Sequence, residues 1–222
     1  RKEQKPWLGI CGETAWGTSL SLYEMVLLGD RSWWWRMHYH LWRAYRDWDP
    51  DAVLESLSED ENLGTLAYGE TPASSVRRAL DMCRVHFPDA FSLCDLGAGR
   101  GVLSMTAAAL DWDVLAIEYL GEFLKRSVPV CEKLGLSVDW IQGDFLKLPL
   151  PPVDIIHTAA TTYPEEFRTK MADKFAAEGT QEQGFLLQDW LLDEDRFEMV
   201  VGVRLPVTWG SSYFALHRLK RT

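Results

Sequence analysis

The sequence predicts an α/β fold: a doubly wound, mainly parallel sheet of seven strands with a C-terminal antiparallel hairpin and an N-terminal helical extension. Three observations carry this prediction. After about residue 67, short apolar runs alternate with helix-like stretches, as they do in a parallel sheet covered by helices. Ser92 to Leu103 reads as an apolar strand, a glycine-rich turn and a helix start. Near the end, Phe197 to Val207 and Tyr213 to Leu219 follow one another as strands joined only by Trp209-Gly210-Ser211-Ser212.

Residues 1–66 form the helical, Trp-rich extension and residues 67–222 the α/β domain. From Arg31 to Trp48, the residues Trp34, Met37, Leu41, Tyr45 and Trp48 recur at spacings of three and four, with Arg36, His40, Arg43 and Asp47 on the other face. That spacing predicts an amphipathic helix. It is expected to pack on its own domain as a lid. Contact with a partner or a second copy is the alternative, as is insertion at a membrane surface beside Arg31, Arg36, Arg43 and Arg46. His38 and His40, two apart on this helix, point to different faces and make no metal pair.

Asp49-Pro50 supplies a cap and a first-turn proline for a short helix to Leu57, before the acidic loop Ser58-Glu59-Asp60-Glu61-Asn62. Thr71-Pro72 repeats the device, and Val76, Ala79, Leu80, Cys83 and Phe87 make the apolar stripe of the helix that ends near Pro88. Strands are then expected over Phe91 to Leu96, Val114 to Ile117, Val138 to Gln142, Val153 to His157 and Gly184 to Leu187. Helices are expected near Leu103 to Leu110, Gly121 to Leu134 and Pro164 to Ala177, with Pro129 breaking or kinking the second of them.

The 222 residues suffice for one well-buried domain plus a modest addition, and the tryptophans concentrate before residue 50. A net charge of −10 and a pI near 5.0 disfavour broad electrostatic binding to nucleic acid, which needs a basic face. Cys11, Cys83, Cys94 and Cys131 show no C-x-x-C spacing, so reduced thiols are expected and no zinc site. With no apolar run long enough to span a bilayer and no signal-peptide pattern, the chain is expected to be soluble and cytoplasmic.

Function concentrates at the strand ends. Gly97, Gly99 and Gly101 allow positive φ and remove the Cβ atoms that would keep a ligand's ribose and amino-acid tail off the backbone. A ligand-free strand-to-helix turn would use the same residues, but two acids extend the pattern. Glu118 closes the second strand, 23 residues after Asp95, where it would accept hydrogen bonds from both ribose hydroxyls. Asp144, after the third strand in Gly143-Asp144-Phe145, would accept from an adenine amino group while Phe145 covers the ring.

These residues resemble those of the Rossmann-like class of S-adenosylmethionine (SAM) methyltransferases. A dehydrogenase fingerprint would be G-x-G-x-x-G, whereas here the glycines alternate and Val102 stands where the third glycine belongs. Tyr68-Gly69-Glu70-Thr71, taken with Asp95-Leu96-Gly97-Ala98-Gly99, Ile117-Glu118, Gly143-Asp144-Phe145, Pro164-Glu165 and the Trp209-Gly210 hairpin, is similar to the non-SET histone lysine methyltransferases named for disruption of telomeric silencing. The similarity runs from about Leu66 to Leu219. It implies SAM as cofactor, Tyr68, Glu70 and Thr71 in a loop over its methionine end, Gly97 and Gly99 beneath it, Glu118 on the ribose, and Asp144 with Phe145 on the adenine.

After strand four that family carries paired asparagines that frame a lysine channel, whereas this chain reads His157-Thr158-Ala159-Ala160-Thr161-Thr162-Tyr163-Pro164-Glu165. The basic tail is reduced to Arg218, Lys220 and Arg221, so the histone assignment is not carried over. Methyl transfer needs in-line alignment at about 3 Å and a desolvated acceptor lone pair. An amine acceptor must arrive neutral, which apolar or hydroxyl-lined walls favour. Thr161, Thr162, Tyr163 and Tyr213 are the candidate walls, although the threonines would equally serve as helix caps. His157 is a candidate base or a structural histidine, and Glu70 a candidate carboxylate or a loop-ordering residue. The acceptor is expected to be a protein side chain of the lysine type. A small metabolite is the alternative, and a non-catalytic SAM-binding module the third reading.

Overall fold

The computed structural model describes residues 15–28, 32–48 and 69–220. The expected helix from Asp49 to Leu57, the acidic loop after it, Cys11 and Tyr68 lie outside these residues. The elements are α1 (Ala15–Leu28), α2 (Ser32–Tyr45), α3 (Ala73–His86), β1 (Ser92–Leu96), α4 (Val102–Ala108), β2 (Asp113–Glu118), α5 (Gly121–Leu134), β3 (Asp139–Gln142), β4 (Ile155–Ala159), α6 (Glu165–Glu178), β5 (Gly184–Gln188), β6 (Phe197–Val207) and β7 (Gly210–Leu219).

They build a seven-stranded sheet in the order β3-β2-β1-β4-β5-β7-β6. β3, β2, β1, β4 and β5 pair in parallel, and the β6–β7 hairpin adds antiparallel to β5. The strand order reverses between β1 and β4, the position at which the carboxyl ends of an open α/β sheet leave a crevice.

Alternation along each strand divides the core between the two faces. Leu93, Val114, Ile155 and Leu186 meet Val76 and Leu80 of α3 and Leu103 and Ala107 of α4 on one face. Cys94, Leu96, Ile156, Phe185 and Leu187 meet Met171 and Phe175 of α6 on the other. Cys83, Cys94 and Cys131 are buried free thiols.

Most boundaries shift from expectation by a residue or two, and two of the shifts have a visible cause. β4 begins at Ile155 rather than Val153, because Asp154 is held just outside the sheet edge: its Oδ2 accepts the Phe91 and Ser92 amides at 3.0 and 2.9 Å and the Ser92 hydroxyl at 2.6 Å. The C-terminal turn is tighter than expected. Val207 pairs with Gly210, so only Thr208 and Trp209 connect the strands, and Gly210 takes a φ of 136° that glycine alone adopts readily.

The break expected at Pro129 does not occur, for α5 runs unbroken from Gly121 to Leu134. Phe123 before the proline and Val130, Cys131 and Leu134 after it share one cluster with Trp34, Met37, Leu41 and Tyr45 of α2, so both halves pack on the same helix. Arg36 donates to the Lys133 carbonyl (2.8 Å) and Arg126 to the Ala44 carbonyl (3.0 Å), tying the helices together along their length. The apolar face of α2 is thereby used against α5, making the helix a buttress rather than the expected lid. Trp35, Tyr39 and Trp42 remain exposed on its outer side.

His217 is buried in β7, where its Nε2 accepts the Leu192 amide (3.4 Å), and burial holds its pKa below 6.5. As pH falls through 6.5 the unfolded chain binds a proton at this position that the folded chain does not, so stability is lost on acidification. We predict that the urea midpoint falls further between about pH 7.5 and pH 5.5 in the wild type than in His217→Asn, the difference isolating this one group. Equal falls would show that the ring is not held neutral.

Candidate functional site

β1 ends in a turn whose three alternate glycines take left-handed φ: 80° at Gly97, 55° at Gly99 and 76° at Gly101. The turn folds back on β2, because the Gly97 and Ala98 amides donate to the Ile117 carbonyl at 2.9 and 3.1 Å. The next residue, Glu118, is buried, and its carboxylate oxygens accept the Gly99 and Leu120 amides, each at 2.8 Å. Burial raises its pKa, an effect these backbone donors partly offset. A carboxylate has about four acceptor positions, more than its backbone donors fill, which leaves room for hydroxyl donors.

The three glycines have different duties. A Cβ on Gly97, which is exposed, would lie 3.0 Å from the Tyr163 hydroxyl and 3.9 Å from Phe145, so its absence keeps the floor of the crevice low. A Cβ on buried Gly101 would fall 2.4 Å from the Trp140 ring. Gly101, expected to touch ligand, is therefore a packing position, and it also opens α4 in left-handed conformation.

Asp95 lies beneath the turn. Its Oδ2 accepts the Ser104 hydroxyl (2.7 Å) and its Oδ1 pairs with His157 Nδ1 (2.9 Å). Only 2% of Asp95 and 3% of His157 is exposed, and His157 sits mid-strand in β4 rather than at the strand's end. Both are thus supports of the turn, and the geometry gives His157 no route to a ligand as a base.

Asp144 begins the turn after β3, accepting the Leu146 amide at Oδ1 (3.0 Å) and pairing with Lys147 (3.2 Å). Phe145 is buried beside it and belongs to an aromatic row: Phe145 to Phe167 at 5.8 Å and Phe167 to Tyr163 at 4.8 Å. Phe167 was not anticipated, although it lies four residues after Tyr163, one helical turn along.

The segment after β4 forms the opposite wall. Tyr163 stands over Gly97 with its hydroxyl 3.4 Å from Thr158 Oγ1. Its enclosure pushes the phenol pKa up to about 12, so it is a neutral hydroxyl at physiological pH. Neither threonine caps α6; Thr161 instead donates to Asp189 Oδ2 (3.0 Å), and Thr162 lies half-buried beside it. Arg168 clamps the turn by donating to the Ala160 carbonyl (2.7 Å).

Tyr213 leaves this group. Its ring lies over Gly202, where an added Cβ would meet the hydroxyl at 2.0 Å, and its hydroxyl reaches Met199 Sδ at 3.9 Å. Only its backbone serves the site, donating to Asp189 Oδ1 at 2.7 Å. Asp189, with a left-handed φ of 54°, joins Thr161 to the hairpin and was missed in the sequence, where a lone acid after strand five carries no signal.

Thr71 is buried and donates to Gln188 Oε1 (2.9 Å), and Glu70 lies 3.5 Å from Arg100 of the glycine turn. The hairpin tip closes on the same segment: Thr208 donates to the Glu70 carbonyl (3.1 Å) and Trp209 covers Gly69.

Neither a family model nor a curated sequence matches the chain. Solved structures do match in fold. An RNA methyltransferase from Salinibacter ruber, in complex with S-adenosyl-L-homocysteine, is 18% identical with a TM-score of 0.57, over 69% of this chain and 95% of that one. A magnesium protoporphyrin IX methyltransferase from Synechocystis with bound SAM is 13% identical with a TM-score of 0.55, over 67% and 79%. A ribosomal protein methylase from Lactobacillus delbrueckii is 17% identical with a TM-score of 0.54, over 70% and 82%. The fold is that of the Rossmann-like methyltransferases.

Removing Asp95 strands two buried partners, Ser104 and His157. We predict that Asp95→Ala lowers unfolding stability by on the order of 3 kcal/mol in urea titration. A loss below about 0.5 kcal/mol, the scale of a surface substitution, would contradict a supporting role.

Proposed function

We propose that this chain is a SAM-dependent methyltransferase acting on a protein side chain of the lysine type. The observation that carries the cofactor reading is the convergence at the β1–β4 reversal of three strand ends with three kinds of contact. The glycine turn bares the backbone, Glu118 presents a carboxylate at the end of β2, and Asp144–Phe145 pairs an acid with a flat apolar ring. In this reading Glu118 holds the ribose hydroxyls, Asp144 the adenine amino group and Phe145 the adenine face, with Gly97 and Gly99 beneath and Tyr68, Glu70 and Thr71 on the methionine side.

SAM supplies a methyl group on a sulfonium, ready for direct displacement. The protein's part is to align and desolvate. Tyr163, Thr161 and Thr162 wall the place where an acceptor would approach. Their hydroxyls and the enclosed phenol favour an amine in its neutral, nucleophilic form. No base on this chain is required for transfer itself.

The lysine-type acceptor is supported by the Tyr-Gly-Glu-Thr element and by the hairpin that closes on it through Thr208 and Trp209. A small-molecule acceptor is the second reading, favoured by the segment after β4, which lacks paired asparagines. The fold does not choose between them, since the neighbours named above act on RNA, a porphyrin and a ribosomal protein. The division into an extension of residues 1–66 and a catalytic domain of residues 67–222, and a cytoplasmic setting, belong to the same proposal. Among the described residues no helix is long and apolar enough to cross a membrane.

Glu118→Ala and Asp144→Ala are each expected to weaken SAM binding by about 1–3 kcal/mol, because each leaves polar ligand groups unpaired. Calorimetry giving wild-type affinity in both would overturn the mapping. The acceptor is tested by transfer of tritiated methyl from SAM into a size-fractionated lysate, with Asp144→Ala as control. Label in a discrete protein band supports the lysine-type reading, and label confined to the small-molecule fraction replaces it with the second.

A further inference from the structure

Arg100 is the one bulky residue inside the glycine turn, flanked by two glycines in left-handed conformation, and it is only 4% exposed. Glycine backbones are the least restrained by their own sterics, so the turn's conformation must be held from outside. The holding groups come from the extension and from α5. The guanidinium lies over the Tyr45 ring, 4.6 Å from its centroid, with the Glu70 carboxylate at 3.5 Å. The Arg100 carbonyl accepts the Ser127 hydroxyl (2.9 Å), and Ser127 Oγ lies 2.6 Å from the Tyr45 hydroxyl, whose single proton is shared between Ser127 Oγ and the Phe123 carbonyl (3.1 Å). Tyr45, the last residue of α2, thus grips one residue of the turn at both its ends: the side chain by stacking and the carbonyl through Ser127.

We infer that Tyr45 and Ser127 are positioning residues for cofactor binding, so that the N-terminal extension sets the affinity of the glycine turn without touching the cofactor. The inference rests on the cofactor reading proposed above. Its physical content is a population. With the grip intact the turn is held with the Gly99 amide on Glu118; without it the two glycines let the turn sample other conformations, and apparent affinity falls with the fraction that remains competent. Burial of Tyr45 raises its pKa, so the hydroxyl stays protonated and able to donate.

The test is calorimetric titration of S-adenosylhomocysteine into the full chain, with melting temperature measured in parallel. Tyr45→Leu, which removes ring and hydroxyl, is expected to raise Kd about ten-fold. Ser127→Ala, a milder change that removes only the relay oxygen, is expected to raise it about three-fold. Leu41→Ala, on the same buried face of α2 but away from the turn, is expected to lower the melting temperature while keeping Kd within about two-fold. Arg100→Lys keeps the charge but loses the planar stack, so adding it to Tyr45→Leu should weaken binding no further than Tyr45→Leu alone.

Wild-type affinity in both Tyr45→Leu and Ser127→Ala would overturn the inference while leaving the cofactor reading intact. So would a loss in Leu41→Ala as large as that in Tyr45→Leu, which would make the helix a mere stabiliser. Absence of binding by the unaltered chain would overturn the cofactor reading and the inference with it.

Discussion

The site depends on one buried carboxylate. Glu118 ends β2 with its charge out of water, a placement that is costly unless backbone donors meet it, and the donors are the amides of Gly99 and Leu120. The Gly99 amide reaches Glu118 because the chain after β1 turns through left-handed conformations at Gly97, Gly99 and Gly101. The turn also hangs from the Ile117 carbonyl, so sheet pairing, turn geometry and the position of the carboxylate are a single constraint. Beneath it the Ser104–Asp95–His157 chain of hydrogen bonds joins α4, β1 and β4 on the far side of the same turn.

The rest of the described structure closes on this arrangement from both ends of the chain. From the N-terminal side, Glu24 of α1 accepts the Ser74 amide at 2.7 Å, and Tyr45 of α2 stacks beneath Arg100. From the C-terminal side, the hairpin reaches the segment before α3 through Thr208, Trp209 and the Pro206 carbonyl, which accepts the Ser75 hydroxyl at 2.6 Å. Residues 69–75 therefore carry contacts from α1, β5, the glycine turn and the hairpin at once. Such a short segment, pinned on several sides, suits one wall of a crevice that must keep its shape around a ligand.

Much of this was legible in the sequence, for identifiable reasons. The central parallel strands β1, β2, β4 and β5 showed as apolar runs because both their faces are largely buried, and the turn showed because left-handed backbone demands glycine. The acids after strands two and three stood out as charges at the ends of apolar runs. What was not legible depends on direction rather than type. Nothing in the sequence reveals that Tyr213 leans over Gly202 or that Thr71 bonds across to Gln188 instead of capping α3. Gly101 and Gly97 look alike in sequence, yet one lies under Trp140 and the other opens to the crevice. Pro129 does not end α5, because the contacts that α5 makes with α2 on either side of it outweigh local propensity. His157 was expected at a strand's end; the observed β4 runs from Ile155 to Ala159, which places it mid-strand with its ring buried against Asp95.

The glycine turn, Glu118 and Asp144–Phe145 are proposed to form one cofactor site. Its most direct test is a crystal structure of the chain with S-adenosylhomocysteine. Both ribose hydroxyls are expected within hydrogen-bonding distance of Glu118, the adenine against Phe145 with its amino group on Asp144, and the tail over Gly97. Density for the ligand anywhere else, or a ribose that leaves Glu118 bonded only to Gly99 and Leu120, would contradict it.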